Sequence, residues 1–505
     1  MCRLCDPKRP RLPCPTRRDF LKASAIGGVA AASGATIGGS ARAQESAEGT
    51  IPAGIGEPGR QTLIRGGTII SVDESVGNFP AGDVLIEGGR IVEVAASIDA
   101  PDAAVIEAAG KIVMPGFIDT HHHQFETALR SQLAHGILIN DGREVNATNY
   151  YETILQTFSM VYRSEDVYIN ELFAGIAQLD AGVTTVMDVS QIHHSPEHSD
   201  AAIEGLQDAG RRAVFGYFEG HGERSQYPQD ARRIRERYFS SDDQLVTMVM
   251  GGEIYLPGYE TSWKIGRELG LPIALHVVGT FGMADAFDQL AQGGEFGADN
   301  IFIHMTGMSD MAWQAAADAG AHVSLAVPIE MHMRHGTPPI QKAIDLGMSV
   351  SLSSDVECTM TADPFTQMRG LITLQRMFAN EAALSGAEDY PALMQCPDAI
   401  RHATIDGARG LGLEAVTGSL TPGKAADIVL LDAEALNVAP LNNAPGAVVT
   451  LMERSNVDTV LVAGQVKKWR GQMVGFDIAR LREELTSSRD YLFETAGVER
   501  DLFAI

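Results

Sequence analysis

Cysteine is scarce in this chain. Of the five in 505 residues, Cys2, Cys5 and Cys14 lie at the extreme N-terminus, and only Cys358 and Cys396 remain beyond it. That excludes a disulfide framework. Cys2-x-x-Cys5 has no second pair to complete a metal or redox site. Positive charge is also in deficit: 39 Lys and Arg against 65 Asp and Glu give a formal charge of -26. Such a balance argues against a nucleic-acid partner or an anionic membrane surface and keeps the protein soluble. Histidine is absent from the first 120 and the last 103 residues; all fourteen fall between His121 and His402. A stable membrane span is not expected. The weakly apolar stretch Ala23 to Gly39 is too short and too rich in glycine to cross a bilayer well.

That stretch instead reads as part of an export signal. Thr16-Arg17-Arg18-Asp19-Phe20-Leu21-Lys22 resembles the twin-arginine motif, and Ala41-Arg42-Ala43 forms an A-x-A-like cleavage site before Gln44. Residues 1–43 are therefore expected to be a twin-arginine signal peptide. The implied partner is the twin-arginine translocation machinery, which exports folded proteins to the periplasm or beyond. Residues 44–60 read as a flexible leader.

The remaining length suits one large barrel with an accessory domain. From Gln61 the pattern is β, with a hairpin around Gly88-Gly89. The same vocabulary returns after Gly418, in Ile428–Asp432 and in a hairpin from Val457 to Val466. Both ends are expected to build one small β-sandwich, residues 61–111 and 406–475, with the middle inserted between them. A charged helical pattern begins at Ile478 within a C-terminal helix and tail, 476–505. Residues 112–405 alternate strands and helices, which predicts a parallel sheet wrapped by helices. Eight strands can be counted, the last of them Met348–Asp355, so the fold class is α/β, a closed (β/α)₈ barrel.

One stretch organises that barrel: Met114-Pro115-Gly116-Phe117-Ile118-Asp119-Thr120-His121-His122-His123. Side chains alternate along a strand, so His121 and His123 point the same way and can both reach one divalent ion. His122 faces the opposite way and is expected to pack between barrel and helices. Active sites of such barrels lie at the C-terminal ends of the strands. There strand one ends in His121 and His123, strand five in His276, strand six in His304 and strand eight in Asp355. Each follows a largely apolar run, and each is a candidate metal ligand or acid/base. Their convergence on one rim points to a site.

At this point the chain resembles the amidohydrolase superfamily, in the branch holding cytosine and guanine deaminases and triazine hydrolases. The likeness spans roughly residues 61–470 and rests on Pro-Gly-Phe-Ile-Asp-Thr-His-x-His, Gly182-Val183-Thr184-Thr185 and the segment Gly418 to Asp427. It implies that His121, His123, His276 and Asp355 hold one Zn(2+) or Fe(2+), with His304 beside the activated water and the small-molecule substrate. Asp355 would take the water's proton and deliver it to the leaving group. His304 would steady developing negative charge. Family members often form dimers or larger assemblies, so a homo-oligomer is compatible with the resemblance.

The chain departs from the pattern at one position. Deaminases of this branch usually carry a glutamate three residues after the strand-five histidine, where it protonates a ring nitrogen. Here that residue is Gly279. Hydrolysis of an amide, a cyclic amide or a carbamate needs no ring protonation and fits better. Two alternatives stay open: deamination or dehalogenation of a heteroaromatic ring with Glu330 as substitute acid, and a binding barrel without turnover. Glu330 could equally pair with Arg334 at helical spacing. Relatives with two metals use a strand-four lysine, which is missing here; Glu253, just beyond that strand, is the candidate for a second ion. Gln124, His194, His332 and His335 lie in loops that could line the substrate pocket.

Overall fold

The computed structural model describes residues 50–144, 148–241 and 243–503. The expected signal peptide, residues 44–49 of the leader, Cys2, Cys5 and Cys14 lie outside the described residues. So do Asn146 and Ala147 of the Asn-x-Thr sequence at 146–148.

The N-terminal strands are β1 (Gln61–Ile69), β2 (Phe79–Glu87), β3 (Arg90–Ala95), β4 (Ala104–Glu107) and β5 (Lys111–Pro115). Eight further strands follow: β6 (Phe117–His122), β7 (Val183–Ser190), β8 (Arg212–Tyr217), β9 (Val246–Gly251), β10 (Ile273–Val278), β11 (Asn300–Thr306), β12 (His322–Leu325) and β13 (Val350–Leu352). The chain ends with β14 (Ile428–Asp432), β15 (Val457–Val462), β16 (Gln465–Trp469), β17 (Gln472–Met473) and a helix, Ile478–Ala496. Strands β6 to β13 pair in sequence order in one parallel sheet. A parallel bridge between His122 and Asp355 joins its two edges. The fold is thus a (β/α)₈ barrel with a separate β-rich part.

That second part differs in detail from the sandwich expected. The two chain ends form a single nine-stranded sheet, ordered β17-β16-β15-β14-β5-β1-β2-β3, with β4 added on β1. Antiparallel pairing of β14 with β5 sews the C-terminal half to the N-terminal half. Period-two alternation gives these strands two apolar faces. Val113, Ile428 and Leu430 join the sheet's own core. Their neighbours Ile112, Met114, Val429 and Leu431 join the larger core that contains the barrel residues Phe117, Leu275 and Phe302.

The organising stretch is consequently split. Lys111–Pro115 belongs to the nine-stranded sheet, and the barrel begins only at Phe117. Gly116 makes the handover. A β-carbon at 116 would stand 2.1 Å from Thr184 Oγ1, so no side chain fits between β6 and β7 at this point. Its N–H donates to the Asp427 carbonyl at 2.9 Å, tying the junction to the C-terminal segment. No helix among the described residues is long and apolar enough to cross a membrane.

Candidate metal centre

The residues at the strand ends converge as the sequence suggested. His121, His123 and His276 offer ring nitrogens that lie within 4.8 Å of one another, and so do the ligand atoms of His121, His304 and Asp355. Asp355 is the hub. Its Oδ1 lies 3.0 Å from His121 Nε2 and 3.6 Å from His123 Nε2, and its Oδ2 lies 3.5 Å from His304 Nε2. Asp355, His304 and the adjacent Met305 have left-handed backbone, with φ of 60°, 73° and 49°. Such strain in residues other than glycine concentrates at functional sites. Here it coincides with two of the residues gathered at the barrel mouth, Asp355 and His304.

Three of the four imidazoles are oriented from behind. His123 donates through Nδ1 to the Val189 carbonyl at 2.9 Å. His276 donates through Nδ1 to Glu253 Oε1 at 2.5 Å. His304 Nδ1 faces Glu330 Oε1 at 3.1 Å. Partners of this kind fix the tautomer and aim the second nitrogen at the site. Asp119, three residues before His122, braces the hub: its Oδ1 accepts from the Ser354 N–H at 3.1 Å, and its Oδ2 from Gln178 Nε2 at 2.7 Å.

Burial pulls His121 and His304 each down to about 4 and His123 well below its ordinary value, so all three rings are neutral and able to bind metal. Burial opposes ionisation of Asp355, yet its interactions with His121, His304 and His123 hold its carboxyl well below the usual carboxylate range. Burial also lowers His276, but Glu253 outweighs it and leaves His276 above its ordinary value. Two donor atoms inside the cluster, His121 Nδ1 and Asp355 Oδ2, are buried without a hydrogen-bond partner. Unpartnered buried atoms of this chemistry, next to neutral imidazoles and a carboxylate, fit a divalent cation.

The other candidates lie elsewhere. Glu253 does not extend the cluster to a second ion: it is fully buried behind His276, with both oxygens 3.3 Å from the His276 N–H. Glu330 does not face the cavity as an acid, nor does it pair with Arg334. It is fully buried, accepts from the Ala326 N–H at 2.9 Å, and burial pushes its carboxyl well above the usual range. Arg334 pairs instead with Asp141. Gln124 is no pocket residue; it bridges Arg211 and Glu171 in a buried network. His194 is held by the Ser159 carbonyl at 2.8 Å and by the His221 N–H at 2.9 Å. His332 bonds the Ala134 carbonyl. These residues were drawn to the site by loop position alone, and long-range partners claim them.

A cavity opens over the cluster. His123, His276, His304 and Asp355 line its floor; Leu138, Tyr150, Tyr151, Leu155, Gln191, Tyr255, Phe281, Met283, Met333 and His335 are among its walls. Tyr151 and Leu155 come from Tyr151–Phe158, a stretch wound as a π-helix. That rare geometry often marks functional sites. Much of this wall was not legible beforehand, because apolar and aromatic side chains carry no ligand-type signal in sequence.

A barrel with histidines and a carboxylate gathered at the C-terminal rim defines a metal-dependent hydrolase architecture. The amidohydrolase family matches residues 112–467, and the chain belongs to that family. It is similar to the 5'-deoxyadenosine deaminase of Methanosarcina mazei, 23% identical over 445 residues, covering 85% of this chain and 98% of that protein. Its fold is similar to that of an adenosine deaminase from Xanthomonas campestris with bound zinc (TM-score 0.74, 21% identity, 87% of this chain and 99% of that one). It is likewise similar to an atrazine chlorohydrolase variant from Arthrobacter aurescens complexed with zinc and atraton (TM-score 0.72, 19% identity, 85% and 100%). The protein is a hydrolase acting on non-peptide carbon–nitrogen bonds of small molecules.

Proposed function

We propose that this chain hydrolyses an amide, cyclic amide or carbamate bond with one divalent ion, zinc or iron, held by His121, His123, His276 and Asp355. The observation that carries the reading is Asp355, a single buried carboxylate within 3.6 Å of three imidazoles. When bound, the ion would lower the pKa of water to roughly 7. Asp355 would accept the proton and pass it to the departing nitrogen. His304, backed by Glu330, would donate toward the oxygen on which negative charge grows. Glu253 would keep His276 aimed at the ion.

Gly279 supports amide chemistry over ring deamination. A β-carbon there would stand 3.1 Å from the Thr306 carbonyl oxygen and 3.2 Å from Gly307 Cα. The backbone therefore crowds the position at which the family's deaminases carry their glutamate. Deamination of a heteroaromatic ring is the second reading, favoured by the deaminase names of the similar proteins. A panel of amides, imides, carbamates and amino-heterocycles, assayed on metal-loaded protein, tests both. Ring opening or amide cleavage without ammonia release supports the first; ammonia from an amino-heterocycle replaces it with the second. We extend the proposal to location: residues 1–43 would direct the folded protein to the periplasm or outside the cell. Cell fractionation with an Arg17→Lys, Arg18→Lys variant tests it, and unchanged export would remove it.

A further inference from the structure

We propose that His335 is the substrate-facing polar group of this site, and that the cavity takes an uncharged, largely apolar ring bearing one heteroatom for His335 to bind. The proposal rests on the carbon–nitrogen hydrolase reading and names its substrate class. His335 is 4% exposed, lines the cavity, and has no hydrogen-bond partner at either ring nitrogen. A buried imidazole left unpaired is costly unless something outside the chain completes it. The other buried polar side chains around it are engaged: Tyr150 by Glu126, Gln191 and Tyr255 by Glu219. His335 stands edge-to-face on His304, with ring centroids 4.6 Å apart, and so borders the reacting end of the cavity.

The backbone is built to hold it there. Arg334 is left-handed at φ 62°, and Gly336 has φ 136°. The His335 N–H donates to the Glu330 carbonyl at 3.1 Å. Thr280 Oγ1 donates to the Arg334 carbonyl at 3.2 Å. Thr280 follows Gly279, so the turn carrying His335 is fastened beside the position that backbone crowding keeps bare. The wall chemistry completes the argument. Among the described lining residues there is no Lys or Arg, and no carboxylate besides Asp355. Phe281 packs edge-on to both Tyr151 and Tyr255, at 5.5 and 5.4 Å. A charged substituent seated against these walls would be desolvated without a charged side-chain partner, whereas a flat ring finds aromatic faces.

Phthalimide and acetanilide serve as neutral probes, and 4-acetamidobenzoate and phthalamate as anionic ones. Binding to zinc-loaded protein is measured by calorimetry and turnover by chromatography. The expected result is that a neutral probe binds, and that the anions bind at least about tenfold more weakly. His335→Phe should weaken neutral-probe binding about tenfold at unchanged zinc content, with partial recovery in His335→Gln. Neutral-probe binding unchanged in both variants overturns the proposal. So does preference for the anions, or binding of neither neutral probe. Turnover is read separately: a probe bound through His335 yet never hydrolysed counts against the hydrolase reading and leaves the role of His335 standing.

Discussion

Two groups of histidines occupy this barrel, and they are put to different uses. His121, His123, His276 and His304 surround Asp355 at the strand ends. His193, His194 and His198 after β7 gather with His221 after β8, with ring centroids as close: His194 lies 5.3 Å from His198 and 5.8 Å from His221. In the second group each of the first three rings is engaged by the protein. His193 meets Ser199, His194 meets the Ser159 carbonyl, and His198 meets Ser195 and the Tyr162 carbonyl. Among the described residues, no carboxylate joins these rings in a metal-ligand cluster. Histidine density is therefore a poor sign of a metal centre. A carboxylate shared by several rings is the better sign.

The sharpest break of this comparison is at catalysis. Asp355→Asn removes the group that moves the proton, and turnover should fall by about 10³-fold or more in a substrate assay. His194→Ala should change turnover little. Next comes metal itself. His121→Ala should leave the purified protein without its ion by elemental analysis, while His194→Ala and His198→Ala keep about one per chain. Full metal content in His121→Ala would erase the distinction between the groups. A smaller effect is expected behind the ligands: Glu253→Gln should weaken metal affinity about 10–100-fold, read by competition with a chelator. If Glu253 were instead a ligand of a second ion, the variant would halve the metal content.

The second group has a smaller signature of its own, in stability. Burial pulls His193 down to about 3, against 6.5 when exposed. Between those values the unfolded chain binds a proton that the folded chain refuses. Stability should then fall as pH drops below about 6.5, by up to about 1.4 kcal/mol per unit from this residue. His193→Gln should flatten that acid limb in denaturant unfolding. An unchanged limb would place the acid sensitivity elsewhere.

Much of this architecture was written locally. Apolar runs of strand length gave a count of eight barrel strands, as the parallel sheet shows. The same pattern marked His121, His123, His276, His304 and Asp355, because strand alternation and strand ends depend on near neighbours in sequence. The split at Gly116 was not legible, since Lys111–Pro115 and Phe117–His122 read as one interrupted apolar run. Only their pairing partners, β14 for one and β7 for the other, assign them to different sheets.

The sequence by itself determined the barrel, its rim of ligand-type residues and the lack of an acid at 279. Tertiary structure decided what each polar residue serves. Glu253 went behind His276, Gln124 to Arg211, and Glu330 beneath His304. His335 alone among the loop candidates was left facing the cavity with both nitrogens unpaired. The physical reason is that a buried polar side chain takes its role from whichever distant strand or loop packs against it, and sequence spacing carries no record of that neighbour.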